Sequence, residues 1–312
     1  MGFLSSVFTA KRKRLIRGLS LLVPLVIFYF LFRNIARDWH ELRHYAIDAD
    51  YRLVFLSFVG FTLSNVYVIW VWTRILKKFS VSFDFATVFS IWTVSTLGKY
   101  IPGKGWQFLS IMLLGEKVGI SLEVAGTTSI LAQILMIVSG VIIAFPIALK
   151  YLNAVAFWAI VAAMLLILYP PILNRILLFI ARKSGRKAVR VDISPPGVIA
   201  FAVLYALSWF LYGISFSLLV KSVGIGGSIV DLYLVRVYIS SYLIGLFALF
   251  VPGGLGVREG IMAVLLSQTM DGNLASFLSV IARIVVTLSE LSLTLVGFYI
   301  LRRKKLLESL KK

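Results

Sequence analysis

Long apolar runs separated by short charged stretches dominate the pattern of the 312-residue chain. The apolar runs lie at 15–32, 53–76, 85–101, 106–118, 124–149, 154–180, 198–220, 232–251, 255–270 and 274–301. An α-helix of about 20 apolar residues crosses the hydrocarbon core of a membrane, which is about 30 Å thick. The pattern predicts an all-α fold, a polytopic bundle of membrane helices that forms a single transmembrane domain over 1–312.

Two of these runs are too short to cross a membrane. The runs 106–118 and 255–270 would be helices of roughly 20 to 24 Å, and each follows a proline–glycine pair, Pro102-Gly103 or Pro252-Gly253. Proline removes a backbone donor, and glycine permits dihedral angles that other residues avoid. Each break therefore predicts a re-entrant helical hairpin that enters the membrane and leaves on the same side. The alternative is a fully spanning hairpin with its break at the opposite membrane surface.

The two halves of the chain resemble each other at a constant offset of 150 residues. Pro102 and Pro252 correspond in this way, as do Ile134 and Ile284. Basic residues cluster at the ends of the spans, and the positive-inside rule then gives the halves opposite orientations. We predict two inverted-topology repeats, a pattern typical of transporters with broken helices. The predicted organisation is an N-terminal anchor helix and outer amphipathic segment (1–50), repeat 1 (51–150), a connecting helix and basic cytoplasmic linker (151–197), repeat 2 (198–301) and a basic cytoplasmic tail (302–312).

Composition excludes a soluble globular domain, because 60% of the residues are hydrophobic and only 14% are charged. The net charge of +19 comes largely from clusters at span ends, which indicates anionic lipid headgroups, not nucleic acid, as partners. The chain has no cysteine, which excludes disulfides and thiolate metal sites, and no cofactor is expected. We expect an integral protein of the plasma (inner) membrane of a prokaryote, with both termini in the cytoplasm.

Charged residues within the apolar runs are the candidates for function. Arg283 and Glu290 lie on one polar face of the last span, where a charge costs about 2.5 to 3.5 kcal/mol. They are two turns apart, so each needs another partner, for which Glu259 and Arg258 are the candidates. Repeat 1 has Gln133 at the position of Arg283. The alternative is that Arg283 and Glu290 only hold helices together.

A helix that starts just after each break would direct its free amides and positive dipole end at the centre of the molecule, which favours anions. Nearby cations strengthen this expectation, and a phosphate-bearing lipid headgroup is the natural ligand. For Lys99 and Lys104 the alternative is extension to the membrane surface. The predicted substrate-binding residues are Lys99, Lys104, Gln107, Arg236, Pro252, Gly253, Gly254, Gly256, Arg258, Glu259, Arg283 and Glu290.

A competing motif occurs at His40-Glu41-Leu42-Arg43-His44, which matches the H-E-x-x-H pattern of zinc metalloproteases. Its two histidines are the only ones in the chain. A third ligand would have to come from an acidic residue nearby, and the charged segment offers no apolar helix to bury a site. A membrane zinc protease therefore stays an alternative, and the chain is expected not to be an enzyme.

The stretch Pro252-Gly-Gly-Leu-Gly-Val-Arg-Glu-Gly260, followed by Ile281-Ala-Arg283, resembles the flippase-like transmembrane domain of lysylphosphatidylglycerol synthases and its stand-alone relatives. The family pattern P-G-G-x-G-x-x-E falls on Pro252, Gly253, Gly254, Gly256 and Glu259. Pro102-Gly-Lys-Gly105 is similar to the first motif of the family, but Trp106-Gln107 stand where an acidic residue is usual.

The resemblance implies movement of anionic or modified lipids between leaflets. In the family a separate soluble domain performs aminoacyl transfer; no such domain occurs up to Lys312, so no synthase activity is expected. The cargo would be a phospholipid, an isoprenoid lipid or a polyprenyl-phosphate-linked sugar. The alternative is a non-transporting accessory subunit of a lipid-modifying or glycan-assembly enzyme, with that enzyme, such as a glycosyltransferase, as its partner.

Overall fold

The computed structural model of the protein describes residues 48–101, 105–148, 154–183, 185, 189–225, 228–248 and 251–304. These residues form helices and connecting turns, with no β-strand among them, which confirms the predicted all-α fold. The helices are α1 (Tyr51–Lys78), α2 (Phe85–Thr96), α3 (Trp106–Lys117), α4 (Leu122–Ala148), α5 (Ala154–Ile167), α6 (Pro170–Lys183), α7 (Pro195–Lys221), α8 (Leu232–Phe247), α9 (Val257–Leu266) and α10 (Gly272–Arg303). Short 3₁₀ turns lie at Leu97–Tyr100 and Pro252–Gly254.

Four helices begin directly after an aspartate, namely Asp50, Asp84, Asp231 and Asp271. In each case the carboxylate accepts a hydrogen bond from a backbone amide in the first turn. Such a residue satisfies an amide that has no partner within the helix and interacts favourably with the helix dipole. Several of the few acidic residues therefore mark where helices enter the bundle.

Helices α1, α4, α7 and α10 are each long and apolar enough to cross a membrane. They correspond to the predicted runs 53–76, 124–149, 198–220 and 274–301. The run 15–32, predicted as an anchor, lies outside the described residues. The protein is an integral membrane protein, with four such helices in the described part of the chain.

The predicted single span 154–180 is divided in the structure, which corrects the sequence prediction. Helices α5 and α6 meet at a 79° bend and together have the length and composition of one broken span. Pro170 and Pro171 cause the bend, because proline has no amide to donate and disfavours a helical conformation in the residue before it. Helix α6 is amphipathic and buries Leu173 and Leu177 against the bundle.

The two predicted hairpins contain short helices. Helices α2 and α3 have 12 residues each, and α8 and α9 have 16 and 10. At 1.5 Å per residue these helices measure about 15 to 24 Å, less than the hydrocarbon core of about 30 Å. The interruptions lie where the sequence predicts them, and re-entry from one membrane side stays a prediction.

Helix contacts between the two halves come in matching pairs. Helix α1 of the first half packs against its counterpart α7 in the second half. The contact of α2 with α10 corresponds to the contact of α8 with α4. The contact of α1 with α10 likewise corresponds to the contact of α7 with α4. Exchanging the halves thus converts each contact into another that the structure also contains. This correspondence supports a structural repeat, while the opposite orientation of its two copies stays a prediction.

Small and polar side chains let the central helices approach closely. The hydroxyl of Ser57 in α1 donates a hydrogen bond of 2.7 Å to the carbonyl of Ser215 in α7. A Cβ added to Gly60 would lie 2.4 Å from the Ser215 hydroxyl oxygen, so a larger residue there would require Ser215 or the helices to shift. Contacts of this kind drive association between helices in lipid, where burial of apolar surface contributes little. The packed centre places the two helix breaks beside each other.

Candidate functional site

The two helix breaks meet at the centre of the bundle. The turn Leu97–Tyr100 of the first half contacts the turn Pro252–Gly254 of the second half. Gly253 has a φ of +59°, and a Cβ added to it would lie 3.3 Å from Cδ1 of Tyr100. A glycine in the left-handed region with an aromatic ring against it therefore forms the junction between the two halves.

The second break has a conformation that requires glycine. Gly254 has a φ of +66°, and a Cβ there would lie 2.7 Å from the carbonyl oxygen of Gly245. Gly256, with a φ of +80°, is the N-cap of α9, and its amide donates a hydrogen bond of 2.5 Å to Oε2 of Glu259. Gly254, Gly256 and Glu259, three residues of the P-G-G-x-G-x-x-E pattern, thus have distinct structural roles, as close contact, N-cap and capping carboxylate.

Glu259 also faces Arg283 of α10. The Nε atom of Arg283 lies 3.2 Å from Oε1 of Glu259, and both side chains are buried, 7% and 1% exposed. The two atoms are close but not aligned as a hydrogen bond, so we describe the contact as an ion pair. Nη2 of Arg283 donates a hydrogen bond of 3.2 Å to the carbonyl of Gly253. The partner expected for Arg283 is therefore the one found.

Glu290 has a different partner from the one expected. Its carboxylate accepts hydrogen bonds from Nζ of Lys99, at 2.5 Å, and from the hydroxyl of Tyr100, at 2.8 Å. Both donors belong to the first break, 191 and 190 residues earlier in the chain. The expectation that Arg258 would pair with Glu290 is wrong, because helix packing brings the 3₁₀ turn of the first break to this carboxylate.

Arg258 lies between two aromatic rings. Its guanidinium carbon is 4.8 Å from the ring centre of Tyr238 and 4.9 Å from that of Tyr242, and the residue is 6% exposed. The faces of aromatic rings attract cations, and this attraction grows where water is excluded. Within the described residues no carboxylate forms an ion pair with Arg258.

Three cations and two carboxylates thus form one cluster where the breaks meet. Arg258, Arg283 and Glu259 are buried, and Lys99 and Glu290 are 23% and 12% exposed. The cations are Lys99, Arg258 and Arg283, and the carboxylates are Glu259 and Glu290. The formal charge of these five residues is +3 − 2 = +1. Because ionised groups in a membrane interior require compensation, a cluster with an excess positive charge is suited to an anion.

The three cations of the cluster line a cavity of about 120 Å³. Its walls include Gln107 of α3, Gln133 of α4 and Leu246 of α8, together with Lys99, Gly253, Gly254, Arg258 and Arg283. The Nε2 atom of Gln133 is buried and has no hydrogen-bond partner. A second, mostly apolar cavity of about 490 Å³ adjoins it and shares Gly105, Phe108 and Gln133 as lining residues.

Two of the predicted charged site residues, Lys104 and Arg236, are not placed in the cluster. Lys104 lies outside the described residues, as does Pro102 of the first break. Arg236 is half-buried on α8, its Nε atom has no hydrogen-bond partner, and it lines neither cavity. Pro252 is buried within the second break.

The aromatic members of the site are absent from the sequence prediction. Tyr100, Tyr238 and Tyr242 contact the buried charges, and Tyr212 stacks on Tyr238 with ring centres 5.8 Å apart. A tyrosine within an apolar run gives little indication of a binding site by itself, because tyrosines also occur in ordinary helix interfaces. Tyr100 was the most accessible to prediction, since it lies directly between Lys99 and the Pro102 break.

The competing zinc motif, His40 to His44, lies outside the described residues. Among the residues that the structure describes, no group of three or more histidine, cysteine or acidic side chains could hold a metal ion. The described residues therefore do not test the zinc protease alternative.

Fold and site together define a class: a polytopic helical membrane protein in which two interrupted helical hairpins surround a buried, positively charged cavity. The sequence matches the family model of the lysylphosphatidylglycerol synthase TM region over residues 17–293. The chain belongs to this family, which confirms the resemblance in its glycine-rich break. No curated protein matches the chain. Membership relates the chain to membrane proteins that handle lipids, and the family is named for a transmembrane region, not for a synthase domain.

Proposed function

We propose that the protein binds a phosphate-bearing lipid at the buried charged cluster and moves it between the two leaflets of the membrane. The observation that carries this proposal is Arg258, a buried guanidinium without an ion pair among the described residues, in the wall of a cavity at the junction of the two halves. A planar guanidinium binds phosphate through two parallel hydrogen bonds, which makes arginine the usual residue for such a ligand.

The helix start at α3 supports an anion at this place. Gly105, the N-cap of α3, has no side chain to cap the first turn, and both Gly105 and Gln107 line the cavity. The positive end of a helix dipole and its first amides favour negative charge. The corresponding start at α9 is already occupied by the carboxylate of Glu259. The two helix starts, expected to be equivalent, therefore differ: a carboxylate caps α9, whereas the N-cap of α3 is a glycine without a side chain.

The same contacts suggest how binding is coupled to movement. Lys99 and Tyr100 of the first half hold Glu290 of the second half, and Tyr100 also lies against Gly253. A phosphate beside Arg258 would compete with Glu290 for Lys99 and weaken this connection between the halves. A ligand shifts a conformational equilibrium by its differential affinity for the two states. We infer that the lipid phosphate favours separation of the breaks and opening toward the other leaflet.

In this proposal no covalent bond forms or breaks, so the protein acts as a transporter and not as an enzyme. The proposed setting is the inner membrane of a prokaryote, with cytoplasmic termini and with anionic membrane lipids as ligands. Phospholipids, isoprenoid lipids and polyprenyl-phosphate-linked sugars all have the required phosphate.

Reconstitution of the full chain in liposomes tests the proposal. Fluorescent lipids with several headgroups are placed in one leaflet, and their exchange is measured by quenching from outside. Arg258→Gln should abolish exchange of phosphate-bearing lipids. Arg74→Gln is the matched control, because Arg74 also stacks on an aromatic ring, 4.8 Å from the centre of Trp70, but is exposed. The control should retain exchange.

Two results would contradict lipid movement through this site. Exchange that is equally fast in Arg258→Gln and in the wild type would show that the cluster takes no part. Lipid binding that depends on Arg258 but occurs without exchange would favour the accessory-subunit alternative. Equilibrium binding of the same fluorescent lipids to protein in detergent distinguishes that second case.

A further inference from the structure

The apolar cavity beside the charged cluster forms a groove along α4. Its eight lining residues on α4 lie between Leu122 and Ile137, fifteen steps along the helix or about 22 Å at 1.5 Å per residue. The other walls are the first two turns of α3, including Phe108 and Met112, and the end of α6, including Leu177. We name this cavity of about 490 Å³ the chain groove.

The chain groove is apolar for most of its length. Its polar lining side chains are Glu123 and Thr127 toward the α3–α4 turn and Gln133 beside the charged cluster. Ile130 lies between Thr127 and Gln133, and Ile134 follows Gln133. Both isoleucines are only half-buried, so the groove is not sealed. Away from these polar side chains, water in the groove would lack hydrogen-bond partners. A hydrocarbon chain gains dispersion contacts by filling it.

We propose that the chain groove holds one hydrocarbon chain of the lipid whose phosphate binds at Arg258, an inference that rests on the proposed function. The groove and the charged cavity share Gly105, Phe108 and Gln133, so one amphipathic molecule spans both without a gap. The ligand is then a whole lipid held by its phosphate and by a chain. A water-soluble phosphate ester with the same headgroup lacks the second contact.

This arrangement differs from one in which the headgroup alone enters the protein while the chains stay in the bilayer. Half of the hydrocarbon core is about 15 Å thick, and the part of the groove from Gln133, beside the cluster, to Leu122 is about 16 Å long along α4, so it has room for a chain of that length. From the central cluster the groove leads toward the α3–α4 turn. A lipid bound in it would lie with its phosphate near the centre and its chain between α3, α4 and α6.

Photolabelling locates the chain directly. The full-length protein is reconstituted in nanodiscs that contain phosphatidylglycerol with a diazirine near the end of one chain, and the labelled residues are identified by mass spectrometry. We expect label on Phe108, Met112 and Ile134 of the groove. Unlabelled phosphatidylglycerol should reduce this label by competition, whereas soluble glycerol 3-phosphate at the same concentration should not.

A substitution that fills the groove provides the second measurement. Ile134→Trp should remove the label from Met112 and slow lipid exchange in liposomes. The matched control is Ile284→Trp at the equivalent position of the second half, where the isoleucine is 47% exposed on the outer surface. Ile284→Trp, which places a ring of the same size outside the groove, should retain both label and exchange, and this comparison shows that loss in Ile134→Trp comes from filled space.

The outcomes separate the two proposals. Label confined to outward residues such as Leu295, with exchange intact in Ile134→Trp, would overturn the chain groove and leave the proposed function standing. Groove label that glycerol 3-phosphate displaces as well as the lipid does would also overturn it. Absence of both groove label and lipid exchange in the wild-type protein would overturn both proposals.

Discussion

The buried ion pair between Glu259 and Arg283 should be strongly coupled in stability. Glu259→Gln keeps an oxygen that can accept the hydrogen bond from the Gly256 amide, so the cap of α9 survives. It removes the negative charge and leaves the guanidinium of Arg283, 7% exposed, without its carboxylate. Breaking one partner of a buried ion pair costs about 3 to 5 kcal/mol, and Arg283→Gln should cost a similar amount by stranding Glu259.

The double variant should be far less unstable than the sum of the two single variants, because it leaves neither charge alone. We expect a coupling energy of at least ~2 kcal/mol, within the range of about 0.5 to 3 kcal/mol for contacting residues. The assay is unfolding of purified protein in mixed micelles, followed by tryptophan fluorescence. A parallel cycle on Asp84 and Lys304, a closer pair at 2.6 Å but exposed, should give no more than about 1 kcal/mol.

Strict additivity of Glu259→Gln and Arg283→Gln, within about 0.5 kcal/mol, would refute the reasoning. It would show that the two charges are compensated by other groups and not by each other. A coupling in the exposed pair as large as in the buried pair would also refute it, because the argument depends on the exclusion of water from the central site.

Three other predictions concern the breaks and the helix ends. Gly254→Ala should destabilise the protein by ~1 to 3 kcal/mol, because its φ is +66° and a Cβ would meet the backbone carbonyl of Gly245. The control Gly272→Ala, at a position with open space around it, should be nearly neutral in the same unfolding assay. Hydrogen bonds donated by Lys304 and by Thr87 lower the pKa of Asp84 from its ordinary value of 3.8 to about 2. The small contribution of Asp84 to stability should therefore be complete above pH 4 and disappear as pH falls toward 2. The unfolding free energy of Asp84→Asn should lack this pH dependence. The chain has no cysteine, so single cysteine variants can be labelled with membrane-impermeant thiol reagents. Leu255→Cys should react much more slowly than the exposed loop variant Ser228→Cys. If Leu255→Cys reacted as fast as Ser228→Cys with reagent added on either side of the membrane, this would contradict a re-entrant hairpin.

Local sequence determined most of the helices, because their physical causes are local. Apolar runs long enough for the membrane give α1, α4, α7 and α10, since a backbone in lipid must satisfy its own hydrogen bonds. Glycine and proline at Pro252 to Gly256 give the second break, since few other residues adopt its dihedral angles. The pair Pro170-Pro171 could also have predicted the bend between α5 and α6, but the continuous apolar run 154–180 favoured a single span.

The composition of the charged cluster was only partly determined by sequence. The cost of isolated charges in a membrane required a partner for Arg283, and the nearby hairpin supplied Glu259. The partner of Glu290 came instead from Lys99 and Tyr100, in the other half of the chain. Which cation reaches a carboxylate depends on where helix packing brings the two breaks, and no local pattern contains that information.

The two cavities and the environment of Arg258 were decided by tertiary structure alone. The rings of Tyr238 and Tyr242 come from α8, and the walls of the chain groove come from α3, α4 and α6. A sequence shows which residues prefer the membrane interior, because that preference belongs to each side chain. It does not show where packed helices leave space, because a cavity is a property of several surfaces whose relative positions are fixed only when the whole bundle has folded.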